Sequence, residues 1–536
     1  MGNAYLEESD KKIDWDNLKI EEKIVSLVPL ESIERYRFFP FAEEEAEKIL
    51  WVAVVDPTDI NVQSVLIFLA KKNERKIKYV ALEGDVFDNV LKRIKSPKKE
   101  ISKALEDFET EAKEDDKKAF HGQRKRAVVE VIQDAPVAKM VDVIIKNAID
   151  GKASDIHIEP LEDKVRVRYR VDGVLYNSIF VPKKVGPAIV SRIKILSNLK
   201  IDEKRKPQDG RFRIEDLGKT IDFRVSTFPV STGEKIVLRI LDKTEGLIDL
   251  EGLGIKGRDL QVLRKVIEEP YGIILVTGPT GSGKSTTLYS ILNILNKEGV
   301  NIVTLEDPVE YVLEGIGQSQ VKPEIGYTFA SGLRSILRQD PDIVMVGEIR
   351  DEETAELAIH AALTGHLVLS TLHTNTAVGA IPRLMDMGIQ PFLLASALKL
   401  IIGQRLVRRI CPKCKKEKTE IMKDVEQIIK NELGGLPESR KGEFAKIISG
   451  EQPIKLFEGV GCGYCQNKGM KGRVGVYEVA EINSALVKLI GDHAPMEEIG
   501  LALQSSGYTT MKQDGIIKTI SGETTLEEVQ EATEEE

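Results

Sequence analysis

The chain has 536 residues, enough for about three to four domains, and 42% of them are hydrophobic, so there is apolar material for several cores. Its 77 basic against 86 acidic side chains leave a net charge of −9, which excludes a global positive field for gathering nucleic acid. No uncharged apolar run reaches membrane-spanning length, since the nearest, 392–402, is short and contains Lys399.

The chain opens on Met1-Gly-Asn-Ala-Tyr-Leu-Glu-Glu8, which is acidic and lacks a signal-peptide pattern. Leu6 stands where a myristoylation motif wants Ser or Thr. A cytoplasmic chain that meets a membrane only through partners is the expectation. From about 20 to 105, apolar runs such as Ile49-Leu-Trp-Val-Ala-Val-Val55 alternate with helical stretches such as 61–73, which reads as a small α/β unit, the first domain of 1–105. Residues 106–129 are densely charged and read as a solvated linker. A second domain, 130–245, begins with a helix from Val137 to Asp150 and continues in strands. In one of them, Lys164-Val-Arg-Val-Arg-Tyr-Arg-Val171, the period of two puts Arg166, Arg168 and Arg170 on one face, expected to be a solvated sheet face.

From about 246 to 405 the rhythm changes to strands at 271–277, 300–306, 342–347 and 366–372 separated by helical stretches, the pattern of a doubly wound, RecA-like α/β core. Between the first of these strands and a helical run with Leu288, Ile291, Leu292 and Leu295 on one face lies Gly278-Pro279-Thr280-Gly281-Ser282-Gly283-Lys284-Ser285-Thr286. This is a phosphate-binding loop in its proper strand–loop–helix setting. Glycines let successive N–H groups face phosphate oxygens at a helix N-terminus, Lys284 supplies a mobile charge for the β and γ phosphates, and the Ser285 hydroxyl is placed to ligate Mg²⁺. A nucleoside triphosphate is the expected ligand.

The other strand ends carry acids and histidines. Glu306, Asp307 and Glu310 follow the second strand, where a carboxylate can hold Mg²⁺ or a water. The third strand ends in Glu348, because Gly347 occupies the place where many such ATPases have a Walker B aspartate. His366 and His373 bracket the fourth strand, and taken alone they read as end caps. Segment 406–478 holds all four cysteines as two Cys-x-x-Cys knuckles, Cys411/Cys414 and Cys462/Cys465, among basic neighbours that favour thiolates. A closed Cys₄ site for structural Zn²⁺ is expected, with free or redox thiols as the alternative. The long separation between the knuckles indicates an inserted subdomain rather than a nucleic-acid-binding finger. Residues 479–536 read as helices ending in Glu534-Glu-Glu536.

Four segments, Gly278–Ser285, Glu306-Asp-Pro-Val-Glu-Tyr311, 338–351 and Gly365-His-Leu-Val-Leu-Ser-Thr-Leu-His-Thr-Asn375, resemble the Walker A, Asp box, atypical Walker B and His box of the secretion ATPase superfamily. That family powers type II secretion and type IV pili. Upstream, Ala153-Ser-Asp-Ile-His-Ile-Glu159, Gln208-Asp-Gly-Arg211 and Asp222-Phe-Arg-Val-Ser-Thr227 resemble its second, PAS-like N-terminal domain. The resemblance implies an α/β fold: a RecA-like P-loop core, a preceding α/β domain, an additional small N-terminal α/β domain and a zinc-binding insert.

It also implies roles. Glu306 and Glu348 become carboxylates that position or activate water, His366 and His373 become sensors of the γ-phosphate or of the subunit interface, and Arg211, Arg224 and Arg239 are directed at phosphates. The pilus retraction ATPases of the family lack both the tetracysteine insert and an extra N-terminal domain, so this chain resembles an assembly or export ATPase. The implied function is a cytoplasmic homo-hexamer, peripheral at the inner face of the cytoplasmic membrane, that turns Mg-ATP hydrolysis into work on an inner-membrane platform protein. The work is type IV pilus assembly or, alternatively, type II secretion. A nucleic-acid translocase ring should show a basic channel, and a non-catalytic nucleotide switch should have lost Lys284 or Glu348. The net charge and the presence of both residues disfavour these rivals, so no nucleic-acid partner is expected. The first domain lacks Arg-Leu-Gly-type repeats, so cyclic-dinucleotide regulation is not claimed.

Overall fold

The computed structural model describes residues 135–534 except 217–218, 243–247 and 466, together with much of 6–94. The charged linker expected at 106–129 lies outside the described residues. Two compact units form, one of Met1–Ile214 with Asp222–Ile240, the other of Glu215–Ile221 with Leu241–Glu536.

In the first unit, strands β1 (Leu6–Glu8), β2 (Phe38–Glu44), β3 (Ile49–Val54) and β4 (Lys76–Ala81) make a sheet of order β1-β4-β3-β2. The unbroken apolar run of β3 is buried at all six positions, because the helices Ile60–Lys72 and Gly84–Ile94 pack their apolar stripes on the sheet through Leu66, Leu69, Phe87 and Val90.

A second sheet comprises β5 (Asp155–Pro160), β6 (Lys164–Val171), β7 (Val174–Pro182), β8 (Gln208–Asp216), β9 (Lys219–Val230) and β10 (Gly233–Asp242), ordered β7-β6-β5-β10-β9-β8. Its strands carry apolar and polar side chains on opposite faces. Ile156, Ile158, Val165, Val167, Phe223 and Leu238 are buried on one face, while the arginines of β6 take the other. The Tyr169 hydroxyl donates to the Ile144 carbonyl (2.9 Å), tying the apolar face to the helix Ala135–Asp150.

The second unit is built on β11 (Gly272–Thr277), β12 (Ile302–Glu306), β13 (Gly317–Gln320), β14 (Ile343–Val346), β15 (Leu367–Leu372), β16 (Leu398–Ile410) and a strand closing the far edge, Met470–Glu481. Between β16 and that edge strand, β17 (Lys415–Glu417) and β18 (Phe457–Gly459) form a small antiparallel pair, so the edge strand is β19. The main sheet runs β13-β12-β14-β15-β11-β16-β19, parallel throughout except for the antiparallel β16–β19 edge.

Helices cover both faces, as a parallel sheet requires. Ile273 and Leu275 of β11 face a layer that includes Ala355, Ala358 and Leu394, whereas Ile274 and Val276 face Leu288, Ile291 and Leu292 of the helix Lys284–Leu295. The RecA-like α/β core expected from the strand rhythm is therefore present. Both β16 and β19 continue this sheet past residues 405 and 478, so the knuckle segment leaves from, and returns to, two neighbouring strands. Among the described residues no helix is long and apolar enough to cross a membrane.

Candidate nucleotide and metal sites

The phosphate loop springs from the carboxyl end of β11, with Gly278, Gly281 and Gly283 all at positive φ (146°, 83° and 89°). Only glycine suits the first of these, since a Cβ there would lie 2.5 Å from the Gln404 carbonyl oxygen. Gly283 caps the helix that begins at Lys284 in the left-handed conformation. The Lys284 ammonium donates to the loop's own carbonyls at Gly278 (2.8 Å) and Pro279 (3.0 Å). Burial lowers its pKa, with Arg405 adding to the effect and Glu348 opposing it. Buried Thr277 Oγ1 and Ser282 Oγ have no hydrogen-bond partner among the described residues. Unpaired polar atoms around a curled glycine loop fit the oxygens of a bound phosphate. Ser285 and Thr286 open the helix beside them, Ser285 exposed and Thr286 half-buried.

Glu348 follows β14, whose end is fixed by the Ser370 and Thr371 hydroxyls donating to the Val346 and Gly347 carbonyls (2.7 and 2.8 Å). Its side chain is only 13% exposed and meets Arg350 (2.6 Å) and His373 Nε2 (3.4 Å), the latter from the end of β15. The structure thus brings together Glu348 and His373 at the same sheet edge as the phosphate loop.

Two expected site residues stand differently. Glu306 is buried and its carboxylate accepts three hydrogen bonds, from the Tyr289 hydroxyl, from Thr304 Oγ1 (2.5 Å) and from Gln318 Nε2 (3.0 Å). Burial and the adjacent carboxylate push the Tyr289 pKa well up, so its proton stays in place. In this arrangement Glu306 ties the phosphate-loop helix to β12 and β13. His366 begins β15, seven residues or roughly 23 Å of strand from His373. Its Nδ1 donates to the Ala361 carbonyl (2.9 Å) at the end of the helix Glu352–Leu363, which is the end-cap arrangement.

In the first unit, Arg211, Arg224 and Arg239 all lie on the polar face of the second sheet, because Phe212 stacks on Phe223 and Leu238 is buried on the other side. Arg239 Nε reaches Asp155 (3.2 Å), which also accepts from Ser154 (2.8 Å). Beside it Glu159 takes Arg166 (2.9 Å), Arg168 (2.6 Å) and Lys235 (3.0 Å). Burial alone would raise the Glu159 pKa, but these cations outweigh it and hold the carboxyl down at about 2. The face expected to be merely solvated is thus an ordered lattice of ion pairs.

The four cysteine sulfurs lie within 4.8 Å of one another, with Cys411–Cys462 at 3.8 Å and Cys414–Cys465 and Cys462–Cys465 each at 3.7 Å. Four sulfurs on zinc at about 2.3 Å stand about 3.8 Å apart, so the set fits a tetrahedral ion. Burial raises the Cys465 pKa, yet N–H donors from Cys462 (3.2 Å) and Gly469 (3.3 Å) overcome it and hold this thiol down at about 6.

Sequence reasoning missed Gln404, buried in β16, whose Nε2 donates to the Ser282 carbonyl (2.7 Å) while its Oε1 accepts from Thr287 (2.8 Å). It clamps the loop from a strand more than a hundred residues downstream, and no local signal announces it.

Comparison with known proteins places these features in one family. The Type II/IV secretion system protein profile matches residues 130–531, and that of the MshEN domain matches 11–101. The Type IV pilus assembly ATPase PilB of Myxococcus xanthus is 42% identical over 530 residues, 96% of this chain and 88% of that protein. The Type II secretion system ATPase E of Vibrio cholerae is 47% identical over 408 residues, 76% of this chain and 77% of that one. Among solved structures, the pilus retraction motor PilT with bound ADP is 28% identical with a TM-score of 0.50, covering 73% of this chain and 96% of that one. DotB of Yersinia pseudotuberculosis, at 20% identity and a TM-score of 0.55 over 74% of this chain and 93% of that one, shares the fold. A phosphate loop, a carboxylate-ended neighbouring strand and a four-cysteine insert, matched along well over half its length, make this chain a member of the Type II/IV secretion system protein family.

Proposed function

We propose that this chain is the ATP-hydrolysing motor of type IV pilus assembly. The observation that carries the choice is coverage: similarity to the pilus assembly ATPase of Myxococcus xanthus runs through 96% of the chain, whereas that to the type II secretion ATPase of Vibrio cholerae stops at 76%. The higher identity within the shorter match, 47% against 42%, keeps the type II secretion motor as the second reading.

In the proposed mechanism the phosphates of ATP occupy the loop Gly278–Thr286, where the buried hydroxyls of Thr277 and Ser282 lack partners and Lys284 exchanges carbonyl oxygens for phosphate. Mg²⁺, held through the Ser285 hydroxyl, would neutralise charge on the β and γ oxygens. Glu348 accepts the proton of the attacking water, and His373 beside it responds to the phosphate that leaves. Arg211, Arg224 and Arg239 supply transition-state charge from the second N-terminal domain, 130–245. The motor core is assigned to 246–405, the zinc subdomain to 406–478 with Cys411, Cys414, Cys462 and Cys465 as ligands, and the C-terminal helices to 479–536. A homo-hexameric ring at the inner face of the cytoplasmic membrane would pass closure around ATP to an inner-membrane platform protein.

The test is ATPase rate against protein concentration for the full chain. Turnover that climbs more steeply than linearly supports residues shared between subunits. A specific activity independent of concentration would leave each chain self-sufficient and remove the ring from the mechanism.

A further inference from the structure

Strand β16 runs parallel to β11 with Gly403 opposite Thr277, so the next residues, Gln404 and Arg405, pass alongside the phosphate loop itself. Gln404 points into the core and clamps the loop. Alternation sends Arg405 to the other face, that of Gly403, where the His373 loop lies. There its Nη1 sits 3.4 Å from the Gln404 carbonyl, the same oxygen against which Gly278 packs, and its Nη2 sits 3.3 Å from Asn375 Oδ1, two residues beyond His373.

Both of these contacts are long and neutral. Arg405 is half-buried and, among the described residues, forms no ion pair. The carboxylate whose charge acts on Arg405 is Glu478, which forms no ion pair with it and is itself buried, accepting from the Ala377 N–H and from the Tyr508 hydroxyl (2.8 Å). Burial lowers the Arg405 pKa, and its charge in turn depresses that of Lys284, so two partly desolvated cations repel one another near the loop. A guanidinium removed from water without a counter-ion is costly, and elsewhere this chain supplies one: Glu159 takes Arg166 and Arg168, and Glu528 takes Arg408. Arg405 is left short beside an anion site.

We propose that Arg405 is a direct ligand of the nucleotide polyphosphate, a cation contributed by the motor core itself and positioned between the phosphate loop and the Glu348–His373 pair. This rests on the phosphate-loop reading given above. The planar fork of arginine suits bidentate contact with phosphate oxygens, and the ligand would replace the two weak neutral contacts with charge-assisted ones.

The test uses the full chain, a fluorescent ATP analogue titrated in the presence of Mg²⁺, and thermal melting with and without ATP. Arg405→Gln is expected to weaken binding roughly 10- to 100-fold. Its nucleotide-free melting temperature should stay level or rise, since an uncompensated cation has been removed, and most of the ATP-induced rise in melting temperature should vanish. Arg405→Lys, which keeps charge and bulk, should retain part of the affinity and serves as the deciding variant if the glutamine form does not fold. Unchanged affinity in the glutamine variant, or in the lysine variant where only that folds, overturns the proposal. So does a fall in nucleotide-free stability with binding intact, which would make Arg405 a scaffold residue. Lys284→Ala is the control: if it too binds the analogue normally, the phosphate-loop reading fails, a result distinct from failure at Arg405 alone.

Discussion

At the loop-bearing edge of the parallel sheet, polar groups are short of partners: Thr277 and Ser282 have buried hydroxyls with none, and Lys284 turns back on its own loop. On the polar face of the antiparallel sheet opposite charges meet directly, with Glu159 gripping three cations and Asp155 holding Arg239, although His157 Nδ1 and Arg168 Nε there are also buried without a hydrogen-bond partner among the described residues. Both regions are rich in charge, but only the first sets its unpartnered hydroxyls in a curled glycine loop at a helix N-terminus. Unsatisfied groups cost free energy in a folded chain, so a cluster of them at a strand–loop–helix junction marks where a ligand completes the structure. On the ion-paired face, Arg239 must give up Asp155 before it can be lent to a phosphate.

That contrast can be broken most sharply through the arginines. If Arg239 leaves Asp155 for the transition state, Arg239→Gln in the full chain should lower turnover by about 10³ to 10⁵ while leaving its ATP affinity nearly intact. Steady-state kinetics for this variant beside Arg211→Gln and Arg224→Gln would rank the three, and normal turnover in all of them would confine catalysis to the loop edge. Next in size, Glu348→Gln should cost about 10² to 10⁴ in turnover with ATP still bound, whereas Glu306→Gln should act through melting temperature and loop geometry. Equal kinetic effects for the two would undo the distinction between the carboxylate beside His373 and the buried one tied to Tyr289 and Gln318.

Acid titration sharpens the other side. The Glu159 pKa is depressed in the folded state, so its contribution is complete above the ordinary carboxylate range and drains away as pH falls toward about 2. Folding stability should therefore lose roughly 3 kcal/mol through this group over that interval, and Glu159→Gln should flatten that part of the profile in denaturant titrations. The smallest effect separates the two histidines. His366→Ala should lower stability by about 1 kcal/mol or less with turnover unchanged, while His373→Ala should change turnover. A kinetic defect at His366 would return it to the site.

The divide between local and long-range information explains which features could be read from the chain. The phosphate loop, the β6 arginine stripe and the cysteine knuckles are contiguous patterns whose geometry follows from spacing. The hydrogen bonding of Glu306 depends on Tyr289 and Gln318 arriving from other elements, and the clamp on Ser282 comes from Gln404, 122 positions away. His366 and His373 look equivalent in sequence because both flank one strand. Only the sheet shows that a strand has two ends and that ligands gather at one of them.

The cysteine segment departs from β16 and returns on β19, whose antiparallel ladder holds both ends together. Once a loop's ends are pinned in this way, its length enters stability only logarithmically, at about 0.6 kcal/mol per doubling. Within the segment the β17–β18 pair repeats the device, fastening the base of the excursion that contains the helices Lys423–Gly434 and Glu438–Ser449. The exposed turns of that excursion can therefore lengthen or be redecorated at little thermodynamic cost and without altering the register of the sheet that bears the phosphate loop, while Ile429 and Leu433, packed with Ile516 and Leu526, hold its core in place. It is a place where new surface can be added to an engine whose working parts stay fixed.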